Sequence, residues 1–169
     1  MIFTIGHSTR PIEDFIALLQ AHEIQLLADV RTIPKSRHNP QFNLETLPKS
    51  LRPAHIAYEH MSELGGLRHA RKDSTNLAWR NLSFRGYADY MQTPEFETAL
   101  KHLIEEAKTR RTAIMCAEAV PWRCHRSLIA DALLARGIEA LEISSLTKAQ
   151  PHKMTPFARI EGTKVHYPA

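Results

Sequence analysis

The feature that most constrains this chain is the stretch over residues 112–137, TAIMCAEAVPWRCHRSLIADALLARG. It opens on the apolar run Ala113-Ile114-Met115-Cys116, the pattern of a buried strand. It passes Glu118, Pro121 and Trp122 to reach the tetrad Arg123-Cys124-His125-Arg126. An apolar helix follows, with Leu128, Ile129, Ala132 and Leu133 on one face, Arg136 at its negative end and Gly137 as the residue after its cap. Two thiols, a carboxylate, an imidazole and two guanidiniums therefore fall between a strand end and a helix start. That is where α/β proteins place their chemistry.

The rest of the chain supplies a matching frame. Residues 2–5 read as a first strand, halted by Gly6-His7-Ser8-Thr9. Pro11, Glu13 and Asp14 suit the first turn of a helix whose buried face is Ile12, Phe15, Ile16 and Leu19. Residues 24–30 form a second strand, with Asp29 and Arg31 at its exit, and a basic, proline-broken loop follows (RTIPKSRHNPQF). Asn43 is placed to cap a short helix ending at Leu51. Residues 55–58 make a third strand, running out through Glu59 and His60 to Gly65-Gly66. Residues 67–83 show no period and read either as a long surface loop or as a mobile lid. Helices are expected over residues 84–91 and from Pro94 onward, the second presenting Phe96, Ala99, Leu100, Leu103 and Ala107 inward. Residues 140–143 make a last strand.

Strands alternating with helices predict a single three-layer α/β domain over residues 1–146. Its sheet is mostly parallel, of four or five strands, with helices on both faces joined by right-handed crossovers. Residues 147–169 are a C-terminal tail, with a small hairpin expected around Glu161-Gly162. Polar groups gather at four strand exits: His7 and Ser8, Asp29 and Arg31, Glu59 and His60, Cys116 and Glu118. Ligands bind beyond such carboxyl ends, so the four exits together define the expected site.

Composition narrows the class. With 43% hydrophobic and 24% charged residues, 169 residues suit one globular core, and no run is long enough to span a membrane. The start MIFTIGHSTR lacks the order and length of a signal peptide. Two cysteines without such a signal predict a cytoplasmic protein with both thiols free. A formal charge of +4 favours anionic ligands without requiring nucleic acid.

TIGHSTR at 4–10, DVR at 29–31 followed by P-x-S-R at 34–37, LGG at 64–66 and MCAE-x-x-P-x-x-CHR at 115–126 resemble the domain of unknown function 488 family. The resemblance spans residues 2–146. It implies an α/β domain with Gly6, His7, Ser8, Asp29, Arg31, Ser36, Arg37, Cys116, Glu118, Cys124, His125 and Arg126 as signature positions, and implies no particular reaction.

Read by their chemistry, these residues divide into two sets. His7, Asp29, Cys116, Glu118 and Cys124 are the catalytic candidates, as acids, bases or nucleophiles. Gly6, Ser8, Arg31, Ser36, Arg37, His125 and Arg126 are the anion-binding candidates, since guanidinium forks, hydroxyls and loop amides grip phosphate or carboxylate. The competing reading of the arginines is internal ion pairing with Asp29 or Glu118. Of the thiols, Cys124 is expected to be the activated one, beside a helix N-terminus and between Arg123 and Arg126, and Cys116 to be a buried strand residue. Each also reads as a packed small hydrophobe. The segment from Cys116 to Arg123 is similar in layout to the phosphate loop of cysteine phosphatases and rhodaneses. It has six intervening residues instead of five, however, and Pro121 and Trp122 stand where small residues belong. Spacing for structural zinc is absent, as is the G-x-G-x-x-G dinucleotide signature, so no metal is assigned and the cofactor is left open.

The expected function is a small enzyme, a hydrolase or transferase, acting on a phosphorylated or nucleotide-like anion at the strand ends. One alternative is a nucleic-acid-binding module using the basic segments at 31–38 and 68–80, with Trp79 or Trp122 stacking on bases. A further alternative is a non-catalytic structural or partner-binding domain. No membrane partner is expected, and the oligomeric state is left open.

Overall fold

A computed structural model describes all 169 residues. Eight strands run β1 (Ile2–Gly6), β2 (Leu26–Asp29), β3 (Ala57–His60), β4 (Thr112–Cys116), β5 (Ala140–Ile143), β6 (Ala149–Pro151), β7 (Arg159–Glu161) and β8 (Lys164–His166). Five α-helices intervene: α1 (Ile12–Ala21), α2 (Leu47–Leu51), α3 (Leu82–Tyr90), α4 (Pro94–Thr109) and α5 (Arg126–Ala135). The main sheet has the order β3-β2-β4-β1-β5-β6, parallel throughout except for β6 at one edge. The chain is thus a three-layer α/β domain, as its alternating pattern predicts.

Strand periodicity sorts the core. Along β1, Ile2 packs in one apolar cluster and Phe3 in the other; along β4, Ile114 and Cys116 oppose Ala113 and Met115. Successive side chains of a strand point to opposite faces, so a sheet buried on both sides needs unbroken apolar runs. One cluster takes Phe96, Leu100 and Leu103 of α4 and Leu128 and Leu133 of α5. The other takes Phe15 and Leu19 of α1 and Leu47 and Leu51 of α2.

Local signals set several ends. Thr93 Oγ1 accepts from the Phe96 amide and caps α4, and Asn81 accepts from Ser83 and Phe84 to start α3 two residues earlier than the apolar pattern suggests. Asn43 does not cap α2. Its Oδ1 instead accepts from the Ser36 amide at 2.6 Å, and Thr46 precedes the helix without a side-chain cap. The third strand begins at Ala57, after His55 adopts a left-handed conformation (φ 59°).

The tail contributes a sixth strand, which the sequence reading lacks. Residues 149–151 add antiparallel to β5, with Glu142 opposite Gln150, and β7 and β8 form a separate hairpin. Buried Asp131 of α5 holds this tail by accepting from His152 Nε2 (2.7 Å), the Thr155 amide (3.0 Å) and Tyr167 Oη (2.8 Å). No helix is long and apolar enough to cross a membrane.

Topology then dictates where a ligand can enter. From β1 the chain leaves through α1 towards β2, while from β4 it leaves through α5 on the opposite face towards β5. Connections departing from neighbouring strands to opposite faces open a crevice at their carboxyl ends. In register, Gly6 pairs with Cys116, and Asp29 with both Met115 and His60, so the chemical groups of four exits share one edge.

Candidate functional site

A cleft of about 730 Å³ lies at that crevice. Its walls come from the residues after β1 (His7, Ser8), the loop after β2 (Arg31, Lys35, Ser36), the Gly66-Leu67 turn, and the segment between β4 and α5 (Cys116, Glu118, Arg123, Cys124, His125). Ten of the twelve signature residues named above lie on it or directly behind it. Arg37 is exposed and outside its lining, and Gly6 packs below.

Gly6 and Gly66 are required by close approach. A Cβ on Gly6 would overlap the Glu118 carbonyl, because the loop after β4 crosses directly over the end of β1. A Cβ on Gly66 would stand 2.6 Å from His125 Nδ1, so the turn can lie on the imidazole only without a side chain.

The first loop does not form an anion nest. The amides of His7 and Ser8 are spent on the carbonyls of Cys116 (2.9 Å) and Ala117 (3.0 Å), with Ser8 at a positive φ of 52°. The Ser8 side chain still faces the cleft. His7 is buried and stacks on Phe42 with ring centres 4.3 Å apart. Its Nδ1–H donates to the Ser8 carbonyl (2.8 Å), which can only accept, so Nε2 carries the lone pair and faces Arg31 Nη1 at 3.4 Å. Burial chiefly, with the Arg31 charge adding to it against the Ser8 hydrogen bond, lowers its pKa to about 4. His7 is therefore neutral near pH 7, with its free lone pair turned to the Arg31 guanidinium.

Asp29 and Arg31 consume each other. Arg31 Nε donates to Asp29 Oδ1 (2.8 Å) and Nη2 to Oδ2 (2.7 Å), a buried two-point ion pair. The Arg31 amide and Tyr58 Oη also donate to the same carboxylate, and Nη2 reaches the Phe42 carbonyl (2.6 Å). Burial and the Asp29 charge push the Tyr58 hydroxyl well above its ordinary pKa. Asp29 is thus saturated as an acceptor, and Arg31 offers the cleft only Nη1.

Arg126 is spent more completely still. It is fully buried, and each of its five N–H groups has an acceptor. Nε and Nη2 grip Glu142 (3.2 and 2.7 Å), Nη1 meets the Glu118 carbonyl (2.8 Å) and Cys116 Sγ (2.7 Å), and Nη2 also reaches the Ala119 carbonyl (3.2 Å). No donor is left for a ligand. The guanidinium ties the loop after β4 to β5, and the carboxylate partner is Glu142 rather than Glu118 or Asp29.

The cysteines correct the expectation of free thiols. Cys116 and Cys124 are joined as a disulfide, because the turn 117–123 folds the start of α5 back over the end of β4. His125 Nε2–H donates to the Val30 carbonyl (2.8 Å), leaving Nδ1 as a lone pair 3.6 Å from Cys124 Sγ. Burial, only partly offset by the Val30 and Leu64 carbonyls, lowers the His125 pKa to about 4, so it too is neutral near pH 7.

The cations left free in the cleft are Lys35 and Arg123, both exposed and in no ion pair, and Glu118 is its only carboxylate. Ser36 lines the cleft while its Oγ accepts from the Asn39 amide (3.0 Å). Lys35 lies inside the P-x-S-R motif and Arg123 beside the C-H-R motif, so position alone was a usable signal for both.

Elsewhere, Glu59, His102 and Glu106 bring ligand atoms within 4.8 Å of one another at the surface. His102 already pairs with Glu59, and Arg110 with Glu106. Segment 67–83 is pinned at its centre: Asp89 accepts from the Arg71 amide (2.8 Å), Ser74 (2.6 Å) and Asn76 (2.7 Å), and Asn76 in turn holds the Tyr167 amide (2.9 Å). Trp79 is half-buried and makes T-shaped contacts with Phe84, Phe157 and Tyr167, whereas Trp122 is 69% exposed.

Fold and site define an α/β domain with a polar, cation-bearing cleft at the carboxyl edge of a parallel sheet. The chain belongs to the family described as domain of unknown function DUF488, whose model matches residues 11–133. No curated protein and no solved structure matches it significantly.

Proposed function

We propose that the cleft is the active site of an enzyme, a hydrolase or transferase, acting on a phosphorylated or nucleotide-like anionic small molecule. One observation carries this reading: a cleft of about 730 Å³ at the switch point of a parallel sheet holds Lys35 and Arg123 without ion partners. Arg31 Nη1, aligned by Asp29, adds a third positive donor, and the hydroxyls of Ser8, Thr9 and Ser36 lie beside them. Glu118 is the acid or base within reach of a ligand so held, since its carboxylate is exposed in the cleft while Asp29 is consumed by Arg31 and Tyr58. Nucleic-acid binding is the weaker reading, because of the two tryptophans that could stack on bases only Trp122 is exposed, Trp79 being half-buried against Phe84, Phe157 and Tyr167.

The test is thermal unfolding with a panel of inorganic phosphate, sugar phosphates and nucleotides. A ligand at a hundred times its dissociation constant stabilises the fold by about 2.7 kcal/mol. The expected result is a rise in Tm that Lys35→Ala and Arg123→Ala abolish; both residues are exposed, so neither change should alter the unliganded Tm. Equal responses from wild type and both variants would overturn the reading.

A further inference from the structure

The disulfide sits in surroundings suited to its reduced form. Cys116 and Cys124 both line the open cleft, yet Cys116 Sγ receives a hydrogen bond from the buried Arg126 Nη1 at 2.7 Å. A guanidinium is a strong donor for a thiolate and a poorly matched one for neutral sulfur. The surroundings of Cys124 are different. Its Sγ has the Arg126 amide at 3.5 Å and the lone pair of His125 Nδ1 at 3.6 Å, a neutral acceptor for an S–H proton. The other charged groups here are Glu142 of β5, already on Arg126, and Glu118 and Arg123 at the cleft wall. Neither carboxylate donates to or accepts from either sulfur.

We propose that Cys116 and Cys124 form a reversible dithiol–disulfide centre in the cleft, with Cys116 as its thiolate and Cys124 as the sulfur that takes the incoming thiol. The reductant is a low-molecular-weight thiol. Its thiolate attacks Cys124 Sγ, the Cys116–Cys124 bond breaks, and the electron pair goes to Cys116 Sγ against Arg126. A second thiolate attacks the reductant's sulfur in the mixed disulfide and forms the reductant's own disulfide. The electron pair then leaves on Cys124, which takes one proton and keeps it as a thiol whose S–H faces the His125 Nδ1 lone pair. Two thiols thus supply two electrons and release two protons, one held on Cys124 and one lost to water. Reduction leaves a nucleophilic sulfur facing the cleft, and oxidation removes it. The inference uses the same cleft as the anion reading but does not depend on it.

The experiment uses the full chain without substrate. The protein is equilibrated with mixtures of reduced and oxidised glutathione, quenched in acid and counted for free thiols by mass. A reversible passage between no free thiols and two is expected. The reduced protein is then alkylated with iodoacetamide at pH 6.5 and the sites are mapped. Cys116 should react at least tenfold faster than Cys124, Cys124→Ser should keep the fast phase and Cys116→Ser should lose it. Glu142→Gln, which leaves the Arg126 charge unneutralised, should move the pH midpoint of Cys116 labelling downward. Faster labelling of Cys124, a bond that reduced glutathione leaves intact in the folded protein, or thiols that oxidised glutathione never joins would each overturn the proposal. Because no phosphate or nucleotide is present, failure of the phosphate panel leaves this result unchanged, and failure here leaves that panel unchanged.

Discussion

Acidification from pH 6.5 to pH 5 should destabilise this protein through two histidines that its fold keeps neutral. His7 and His125 each have a pKa lowered from 6.5 to about 4, in both cases chiefly by burial. Between those values the unfolded chain binds a proton on each and the native state binds neither. Stability conferred by a lowered pKa is present above the unfolded value and is lost as pH falls towards the folded one. Each proton is worth about 1.4 kcal/mol per pH unit, so a shift of this size amounts to at most about 3 kcal/mol per histidine. From pH 6 to pH 5 the two together should remove about 2 kcal/mol. His102 acts in the opposite sense, because its hydrogen bond to Glu59 raises its pKa, but it lies at the surface and solvent screening keeps its share small. The assay is urea unfolding at half-unit steps of pH, on wild type, on His7→Asn, which retains a donor for the Ser8 carbonyl, and on His125→Gln, which retains one for Val30. Each single variant should halve the slope and the double variant should flatten it. A wild-type stability that is level over this range, or a double variant with the full slope, would refute the burial argument.

Two further outcomes follow from packing. Asp29→Ala leaves the Arg31 guanidinium buried without its carboxylate and should lower unfolding free energy by about 3–5 kcal/mol, read from denaturant melts; Arg31 and Asp29 replaced together should lose less. Gly66→Ala should push the His125 ring off the Val30 carbonyl, costing about 1–3 kcal/mol and raising the His125 pKa towards its ordinary value as the ring gains solvent, which the imidazole proton shift in an NMR titration would report.

Much of the architecture is written locally. The apolar runs at residues 2–5 and 113–116 alternate their side chains between two clusters because a strand's period is two, and this alone requires helices on both faces. The placement of chemistry at the carboxyl edge follows from the alternation of strand and helix, and the close approaches at Gly6 and Gly66 are visible as glycines in motifs. The Arg31–Asp29 pair, two residues apart, was legible as one of two readings, but the choice between them and the partner of Arg126 were decided by the fold. Arg31 and Arg126 occupy positions that suit an anion clamp, yet one is taken by Asp29 and the Phe42 carbonyl, and the other by Glu142 of β5. Lys35 and Arg123 remain free because no carboxylate of the folded chain reaches them. The two sulfurs, read as independent thiols from their surroundings in sequence, become one group when the turn after β4 folds α5 back. Hydrophobic period is a property of neighbours along the chain, so it is legible before folding. Hydrogen-bond saturation depends on which acceptors tertiary packing brings within about 3 Å, and no local pattern encodes that.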